Sequence, residues 1–130
     1  MPRPLKIDHL TILWRDTAAS EPYYAALLPL LGFSQTKRGI WTDGEGFFLQ
    51  FRPANPETRE YERYGPGVNH VGFGAPDPET VERVQTQMRA VGFDAPEIRD
   101  LNGARALFMK DPDGLRFEIT WYPPGVPVVD

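Results

Sequence analysis

Cysteine is absent from this chain of 130 residues, which excludes disulfide bonds and zinc sites built from thiolates. No apolar run approaches the roughly 18 residues that a membrane-spanning helix needs, and residues 1–6 lack the apolar core of a signal peptide. The net charge is −4 with both signs interspersed, which argues against a nucleic-acid partner because such proteins usually carry a basic patch. These absences predict a cytoplasmic globular protein that has neither a membrane nor a nucleic acid as its partner.

Histidine is scarce, and the two histidines of the chain lie at matching positions of an internal repeat. Residues 7–13 and residues 68–74 both begin with a β-branched residue, a short polar residue, a histidine and an aliphatic residue. Residues 46–51 also match residues 114–119, and this second match aligns Gln50 with Glu118. The repeat predicts a single α+β domain over residues 1–130, made of two tandem βαβββ modules that form an open curved sheet. Module one would span about residues 5–53 and module two about residues 68–122, with a linker at 54–67 and a tail at 123–130.

The strands are predicted from alternation of apolar and polar residues and from the enrichment of β-branched types. The first strand of each module should lie at residues 6–14 and 68–74. The three strands that follow the helix should lie near 34–37, 39–42 and 47–53 in module one, and near 96–99, 104–110 and 115–122 in module two.

Each module also contains one predicted helix with an apolar stripe at a spacing of three to four residues. The first helix should begin near Ser20, and Pro29 should bend or end it because proline lacks an N–H donor. The second should have Asp77 as its N-cap, Pro78 in its first position and Gly92 as its C-cap. The residues that we expect these helices to bury are Tyr24, Leu27, Leu28 and Leu31 in the first, and Val81, Val84, Met88 and Val91 in the second.

The segment Asp111-Pro112-Asp113-Gly114 has two interpretations. Its carboxylates could hold a metal ion, but the order Asp-Pro-Asp-Gly is typical of a type I turn with glycine in the left-handed conformation. We therefore predict a turn that joins two strands rather than a metal site.

Strand parity places the scarce polar residues on one face. Residues two apart in a strand face the same way, so each of four polar residues lies opposite the apolar face of its strand: His9, Gln50, His70 and Glu118. Any one of them alone is compatible with a structural or solvated side chain. Together they fill two pairs of repeat-equivalent positions, and two imidazoles, a carboxylate and an amide oxygen suit a borderline divalent metal. If the sheets curl, these four side chains point into one cavity.

Several segments resemble the vicinal oxygen chelate superfamily, which includes glyoxalase I, extradiol dioxygenases, and fosfomycin- and bleomycin-resistance proteins. The segments are residues 7–10, 24–33, 69–73 and 108–118, and in order and spacing they cover nearly the whole chain. The resemblance implies paired βαβββ modules that form an open barrel around a divalent metal, such as Zn, Ni, Co, Mn or Fe. By position, His9, His70 and Glu118 match the metal ligands of the family. Gln50 stands where glyoxalase-like members usually have a second glutamate.

The resemblance also implies a shared mechanism, in which a metal binds two adjacent oxygens of a small ligand and stabilises an enolate or oxyanion. Glu118 would act as a ligand or as the catalytic base. Gln50 would be a neutral fourth ligand or would donate a hydrogen bond to the substrate. Further candidates for substrate binding are cations and aromatic residues expected near the cavity: Arg52, Arg116, Trp41, Phe48 and Phe108.

Three functions are compatible with these residues. The first is a metal-dependent lyase or isomerase of glyoxalase type. The second is an Fe(II) dioxygenase of extradiol type, because two histidines and one carboxylate form the facial triad of such enzymes. The third is a metal-free protein that sequesters an aromatic or drug-like ligand, as bleomycin-resistance proteins do, although such a binder has no need of the histidines. A homodimer is also compatible with a chain of this kind.

Overall fold

The computed structural model describes residues 2–128. The chain folds into two compact units, with the boundary between Arg59 and Glu60. This boundary lies inside the predicted linker. We call the two parts the N-terminal unit and the C-terminal unit. Each contains one βαβββ module, so the predicted α+β class and the two tandem modules are confirmed. No helix within residues 2–128 is long and apolar enough to cross a membrane.

The N-terminal unit consists of β1 (His9–Trp14), α1 (Thr17–Leu30), β2 (Ser34–Lys37), β3 (Ile40–Thr42) and β4 (Phe48–Pro53). Its sheet has the order β1-β4-β3-β2. Strands β1 and β4 are parallel, whereas the other neighbours are antiparallel. This order sets the first and last strands of the module side by side, so side chains from both ends of the module share one surface.

The C-terminal unit repeats this arrangement with β5 (His70–Gly74), α2 (Pro78–Ala90), β6 (Arg99–Leu101), β7 (Ala104–Lys110) and β8 (Arg116–Trp121). Its sheet has the order β5-β8-β7-β6, and the first and last strands are again parallel. The equivalence of the two sheets is the structural counterpart of the repeat in the sequence.

Aromatic rings form the core of the N-terminal unit. The ring centroids of Tyr24 on α1 and Phe51 on β4 are 4.3 Å apart. The ring of Phe51 also stacks on Trp14 of β1, with a centroid distance of 5.2 Å. Tyr24, Leu27 and Leu28 are buried as predicted, whereas Leu31 is only half-buried. Offset and tilted ring pairs of this kind add about 0.5–1.5 kcal/mol each beyond the burial of their area. They hold one face of the sheet against the helix and leave the other face open.

Aliphatic residues form the core of the C-terminal unit. Three residues of α2 are fully buried, as are the alternate residues of β7 and β8 that oppose them: Val81, Val84, Met88, Leu107, Met109, Phe117 and Ile119. Asp77 caps the helix by accepting a hydrogen bond from the backbone of Thr80 at 2.8 Å, as predicted.

The predicted burial of Val91 is wrong, because this residue is 60% exposed. The helix ends at Ala90, and Val91 has φ −100° and ψ 13°, so its side chain leaves the helical stripe. Gly92 follows with φ +90°, the left-handed conformation that glycine adopts most easily, as its predicted role as a C-cap requires.

The first helix begins earlier than predicted. Its N-cap is Asp16, whose side chain accepts a hydrogen bond from the backbone of Ala18 at 3.0 Å, and Ser20 is a fully buried residue within the helix. A start near Ser20 would put Pro22 in the opening turn, whereas Pro22 lies inside the helix. The helix ends one residue after Pro29, which agrees with the predicted effect of that proline.

Strand β6 also differs from its predicted position at 96–99. Asn102 and Gly103 both have positive φ, 55° and 94°, which is the conformation of a two-residue hairpin turn. This turn pairs Leu101 with Ala104 and thereby places the strand at Arg99–Leu101. The Asn-Gly pair is a strong hairpin signal that the alternation pattern alone did not capture.

The segment from Asp111 to Gly114 is a turn, as predicted. The backbone N–H of Gly114 donates to the carbonyl of Asp111 at 2.9 Å, and Gly114 has φ +94°. The buried side chain of Asp111 accepts hydrogen bonds from the backbones of Asp113 and Leu115, each at 2.9 Å. This carboxylate therefore stabilises the connection between β7 and β8.

Candidate functional site

The open face of the N-terminal sheet carries two of the four predicted ligands. Residues Thr11 and Gln50 are partners in the register of β1 and β4, and the Thr11 hydroxyl donates to Gln50 Oε1 at 3.1 Å. His9 and Gln50 line a cavity of about 450 Å³, together with Asp8, Lys37 and Phe48. Strand parity thus brings His9 and Gln50 to one cavity within this unit.

The open face of the C-terminal sheet carries the other two predicted ligands. The register of β5, β8 and β7 sets His70, Arg116 and Lys110 in one row across the sheet. The next row holds Gly72, Glu118 and Phe108. His70 and Glu118 lie in adjacent rows, and Nε2 of His70 is 3.4 Å from Oε2 of Glu118.

The hydrogen bonds of Asn69 define the tautomer of His70. The amide Nδ2 of Asn69 donates to the carbonyl of Arg63 at 2.9 Å, which leaves its Oδ1 facing Nδ1 of His70 at 2.8 Å. Because an amide oxygen only accepts, Nδ1 carries a proton and Nε2 of the neutral ring keeps its lone pair. When the ring is neutral, two acceptors, Nε2 of His70 and Oε2 of Glu118, face each other. A proton or a metal ion between them converts this repulsion into attraction.

The carboxylate of Glu118 is itself held in place. Its Oε1 accepts a hydrogen bond from the hydroxyl of Thr120 at 2.8 Å, so the remaining oxygen, Oε2, is the one that faces His70. The side chain is 16% exposed, compared with 45% for that of His70. A carboxylate that is oriented and largely buried suits a ligand or a base, because little conformational freedom remains to be lost on binding.

His9 has an equivalent orientation in the N-terminal unit. Its Nδ1–H donates a hydrogen bond to the Asp8 carboxylate, so the lone pair of the neutral ring is on Nε2. Histidines that bind metals almost always donate their other N–H to a carboxylate or a carbonyl oxygen in this way. The residue before each histidine therefore has the same role in both units.

Gly72 leaves space in front of Glu118. A Cβ atom at this position would lie 3.7 Å from Oε2 of Glu118, so any larger side chain would occupy the volume beside that oxygen. Gly74, the next residue on the same face, leaves similar room, since no heavy atom lies within 4 Å of its hypothetical Cβ. The two glycines keep this face of β5 open beside the carboxylate.

Four of the five predicted substrate-binding residues lie on the open faces of the sheets, and one lies in the core. Phe48 and Arg52 lie on the open face of β4, and Phe108 and Arg116 on that of the C-terminal sheet. Trp41 pairs with Leu49, which lies on the buried face, and is itself only 7% exposed. The structure therefore places Trp41 in the core rather than on the face that carries His9 and Gln50.

The four predicted ligands form two pairs, one in each unit. His9 and Gln50 belong to the N-terminal unit, and His70 and Glu118 to the C-terminal unit. Neither unit, over residues 2–128, contains a group of three or more His, Asp or Glu side chains that could hold a metal ion. Each unit thus presents an incomplete donor set, and the complete four-residue set stays a prediction.

Four residues that orient this site were not among the predicted site residues: Asp8, Thr11, Asn69 and Thr120. A signal for the first and third was present, because a short polar residue precedes each histidine in the repeat. Thr11 and Thr120 could have been found from parity, since each lies two residues from His9 or Glu118 on the same strand face.

Comparisons with known proteins agree with this architecture. The sequence model of the glyoxalase/bleomycin resistance protein/dioxygenase superfamily matches residues 6–119. YqjT of Bacillus subtilis (strain 168) is 25% identical over an alignment of 125 positions, and the match covers 87% of this chain and 96% of YqjT.

Solved structures with the same fold come from several bacteria. A glyoxalase/bleomycin resistance protein/dioxygenase domain from Frankia sp. EAN1pec has a TM-score of 0.77 at 15% identity, with 93% of this chain and 100% of that one covered. Lactoylglutathione lyase from Agrobacterium tumefaciens has a TM-score of 0.64 at 18% identity, with 92% and 96% covered. These similarities show the fold, while the sequence model covers most of the chain and shows the family. The chain belongs to the glyoxalase/bleomycin resistance protein/dioxygenase superfamily.

Proposed function

We propose that this protein is a divalent-metal-dependent lyase or isomerase of glyoxalase type, acting on a small ligand with two adjacent oxygens. The observation that carries the proposal is the pair of acceptors formed by His70 Nε2 and Glu118 Oε2, which face each other at 3.4 Å. Members of this superfamily generally use divalent metals and bind small molecules, which supports the choice of a metal as the cation between them.

The donor chemistry fits a divalent metal. His9, His70 and Glu118 would hold the ion, because two neutral imidazoles and one carboxylate are ligands that Zn, Ni, Co, Mn and Fe accept. Such a metal supplies Lewis acidity that stabilises negative charge developing on a substrate oxygen. With one carboxylate among its ligands, the site keeps a net charge near +1 and favours an anionic ligand.

The residues of the chain have separate roles in this proposal. Asp8 and Asn69 hold the two imidazoles as Nδ1–H tautomers, so that both Nε2 atoms remain acceptors. Glu118 has Oε1 bound by Thr120, and its Oε2 is the atom that would accept a proton from the substrate if the carboxylate acts as the base. The Thr11 hydroxyl donates a hydrogen bond to the amide oxygen of Gln50. The amide N–H groups of Gln50 would then donate to a substrate oxygen.

A second candidate is an Fe(II) dioxygenase of extradiol type. It is favoured by the amide at position 50, because two histidines and a single carboxylate form the facial triad of non-haem Fe(II) oxygenases. A lyase of glyoxalase type usually has a carboxylate at this position. The two candidates therefore differ in the metal and the co-substrate that they need.

The test begins with elemental analysis of protein purified without a histidine tag. We expect one divalent metal per chain near neutral pH, and its loss in the double variant His9→Ala/His70→Ala and in Glu118→Gln. The matched control is Glu82→Gln, which removes the same charge from an exposed position on α2. Full retention of metal by the double variant would reject the site.

Activity then separates the candidates. We expect the metal-loaded protein to isomerise hemithioacetals without consuming oxygen. Anaerobic loading with Fe(II), followed by oxygen uptake in the presence of catechols, would instead support the dioxygenase. Tight binding of an aromatic ligand by metal-free protein and by the double histidine variant, with neither reaction, would replace both by a ligand-sequestering protein.

A further inference from the structure

A cleft in the C-terminal unit is lined by four cationic side chains. It has a volume of about 700 Å³, and the residues that matter here are Arg63, Arg99, Lys110, Arg116 and Phe108. This volume lies within the range of small-molecule sites and exceeds what an inorganic ion needs. We call this cavity the basic cleft.

Two of the cations lie directly opposite each other. Lys110 on β7 and Arg116 on β8 are antiparallel partners, and like charges in that position destabilise a sheet. Within residues 2–128, neither side chain forms an ion pair with a carboxylate. The pair thus creates a local positive potential that a bound anion would offset.

The other two cations each lie over an aromatic ring. The guanidinium of Arg99 lies over the ring of Phe108, 5.8 Å from its centroid. Arg63 lies over the ring of Tyr64, and its Nε is buried without a hydrogen-bond partner among residues 2–128. A buried donor without a partner is costly, so a ligand oxygen that accepts from it would be stabilising.

Carboxylates neutralise only part of this charge. Asp94 and Glu97 also line the basic cleft, so four cations against two anions leave a net charge of +2. Glu97 is already paired with Arg89 at 3.2 Å, which further reduces its effect on the cleft. The charge that remains matches a dianion better than a neutral or singly charged ligand.

The basic cleft is adjacent to the candidate catalytic residues. Arg116 occupies the row of His70, and Phe108 is the cross-strand partner of Glu118. The register thus sets His70 and Glu118 beside two residues that line the basic cleft, so a ligand held between Lys110 and Arg116 could extend toward Glu118. The ring of Phe108 lines the same cleft and offers an apolar surface beside Glu118.

We propose that the basic cleft binds the anionic end of a small organic dianion, either a dicarboxylate or a phosphate monoester. The placement of the reacting end beside Glu118 rests on the function proposed above, whereas the binding of the anion does not. Arginine is suited to both kinds of oxyanion because its planar fork can donate two parallel hydrogen bonds.

The test uses the full chain, freed of metal with a chelator. Phthalate and phenyl phosphate serve as dianionic probes, and phthalamide serves as the neutral analogue. We expect calorimetry to show binding of at least one dianion that weakens as salt is added, and at least tenfold weaker binding of the neutral analogue. Preference for phthalate or phenyl phosphate identifies the oxyanion.

Charge-removing variants test the location. Lys110→Gln and Arg116→Gln should each weaken binding of the dianion about tenfold, and the double variant about a hundredfold, because each removes a charge-assisted contact. Arg83→Gln on the exposed surface of α2 removes an equal charge and should change the affinity less than twofold. Circular dichroism checks that each variant is folded, and Lys110→Arg, which keeps the charge, should retain binding.

Equal affinities in folded Lys110→Gln, Arg116→Gln and wild type, or equal affinities for the dianions and the neutral analogue, would overturn the proposal. The two proposals fail separately. If the wild-type protein binds no divalent metal but still binds the dianion, only the metal-dependent function is rejected. Metal binding and isomerase activity without discrimination of dianions reject the basic cleft alone.

Discussion

Substitutions of Asn69 test two roles of this residue, which are to stabilise the C-terminal unit and to orient His70. The Asn69 amide makes two hydrogen bonds, one to the Arg63 carbonyl at 2.9 Å and one with His70 Nδ1 at 2.8 Å. Asn69→Leu removes both and keeps a similar side-chain volume. Each neutral hydrogen bond contributes about 1 kcal/mol, so the free energy of unfolding of the metal-free protein should fall by about 2 kcal/mol.

The same variant should weaken metal binding by about 10–100-fold, because loss of the outer hydrogen bond frees the imidazole to rotate and to change tautomer. Asn69→Asp is the matched comparison. It keeps an oxygen for the Nδ1–H of His70 and makes it charged, but it loses the donor to Arg63. Its stability should therefore also fall, while its metal affinity should equal or exceed that of the wild type.

Urea unfolding of the metal-free proteins measures the stability, and competition with a chromophoric chelator measures the metal affinity. We expect both variants to lose stability but only the leucine variant to lose metal affinity. If folded Asn69→Leu binds metal as tightly as the wild type, Asn69 does not orient a ligand. If the two variants lose affinity equally, the effect comes from the fold rather than from His70.

Four further outcomes are expected. Gln50→Glu should raise metal affinity and, if the glyoxalase proposal holds, isomerase activity; an unchanged metal affinity in the chelator assay would mean that Gln50 does not face the metal and would favour the dioxygenase. Gly72→Val should leave the fold intact but lower metal affinity at least tenfold, since its methyl groups would fill the space that begins 3.7 Å from Glu118, whereas Gly72→Ala should lower it less. Asp111→Ala should lower the free energy of unfolding by about 2–4 kcal/mol, because two backbone donors lose a charged acceptor, and Asp111→Asn should lower it less; equal losses in urea unfolding would contradict the role of its oxygen. Hydrogen bonds from the Thr80 hydroxyl and backbone hold the pKa of Asp77 below its ordinary value of 3.8, so its contribution to stability is complete above that pH and is lost below it. Thermal unfolding over a pH series should show a smaller loss on acidification for Asp77→Asn than for the wild type, and parallel curves would contradict this.

Short-range patterns predicted most of the fold. Alternation in the strands separated the buried residues Leu49 and Phe51 from Gln50, because successive side chains of a strand face opposite ways. The N-cap at Asp77 was predictable because the capping bond is local to one turn. The predictions for the start of α1 and the position of β6 were wrong, because Asp16 rather than a residue next to Pro22 caps the helix and the Asn102-Gly103 turn fixes the strand.

The predicted substrate residues show where local patterns are insufficient. Trp41 belongs to a strand of only three residues, Ile40–Thr42, in which alternation does not identify the buried face. The face is decided by the pairing of Trp41 with Leu49, which is a contact between strands. Phe108, on the longer strand β7, pairs with Glu118 and shares its face, and its role in substrate binding stays a prediction. The metal, the substrate, the cytoplasmic location and the homodimer stay predictions.

The sequence by itself determined the repeat, the order of the elements in each module, and the strand face that carries each candidate ligand, because these follow from periodicity and local turn chemistry. Only the tertiary structure decided which longer-range hydrogen bonds hold these side chains. Asn69 orients His70 only because its amide also reaches the carbonyl of Arg63, six residues earlier. The basic cleft likewise gathers Arg63, Arg99 and Arg116 from separate segments, since strand pairing and folding of the loops bring together charges that are distant in the chain. Short-range patterns carry no record of such contacts, because side-chain partners across a fold are selected by distance in space rather than by spacing in sequence.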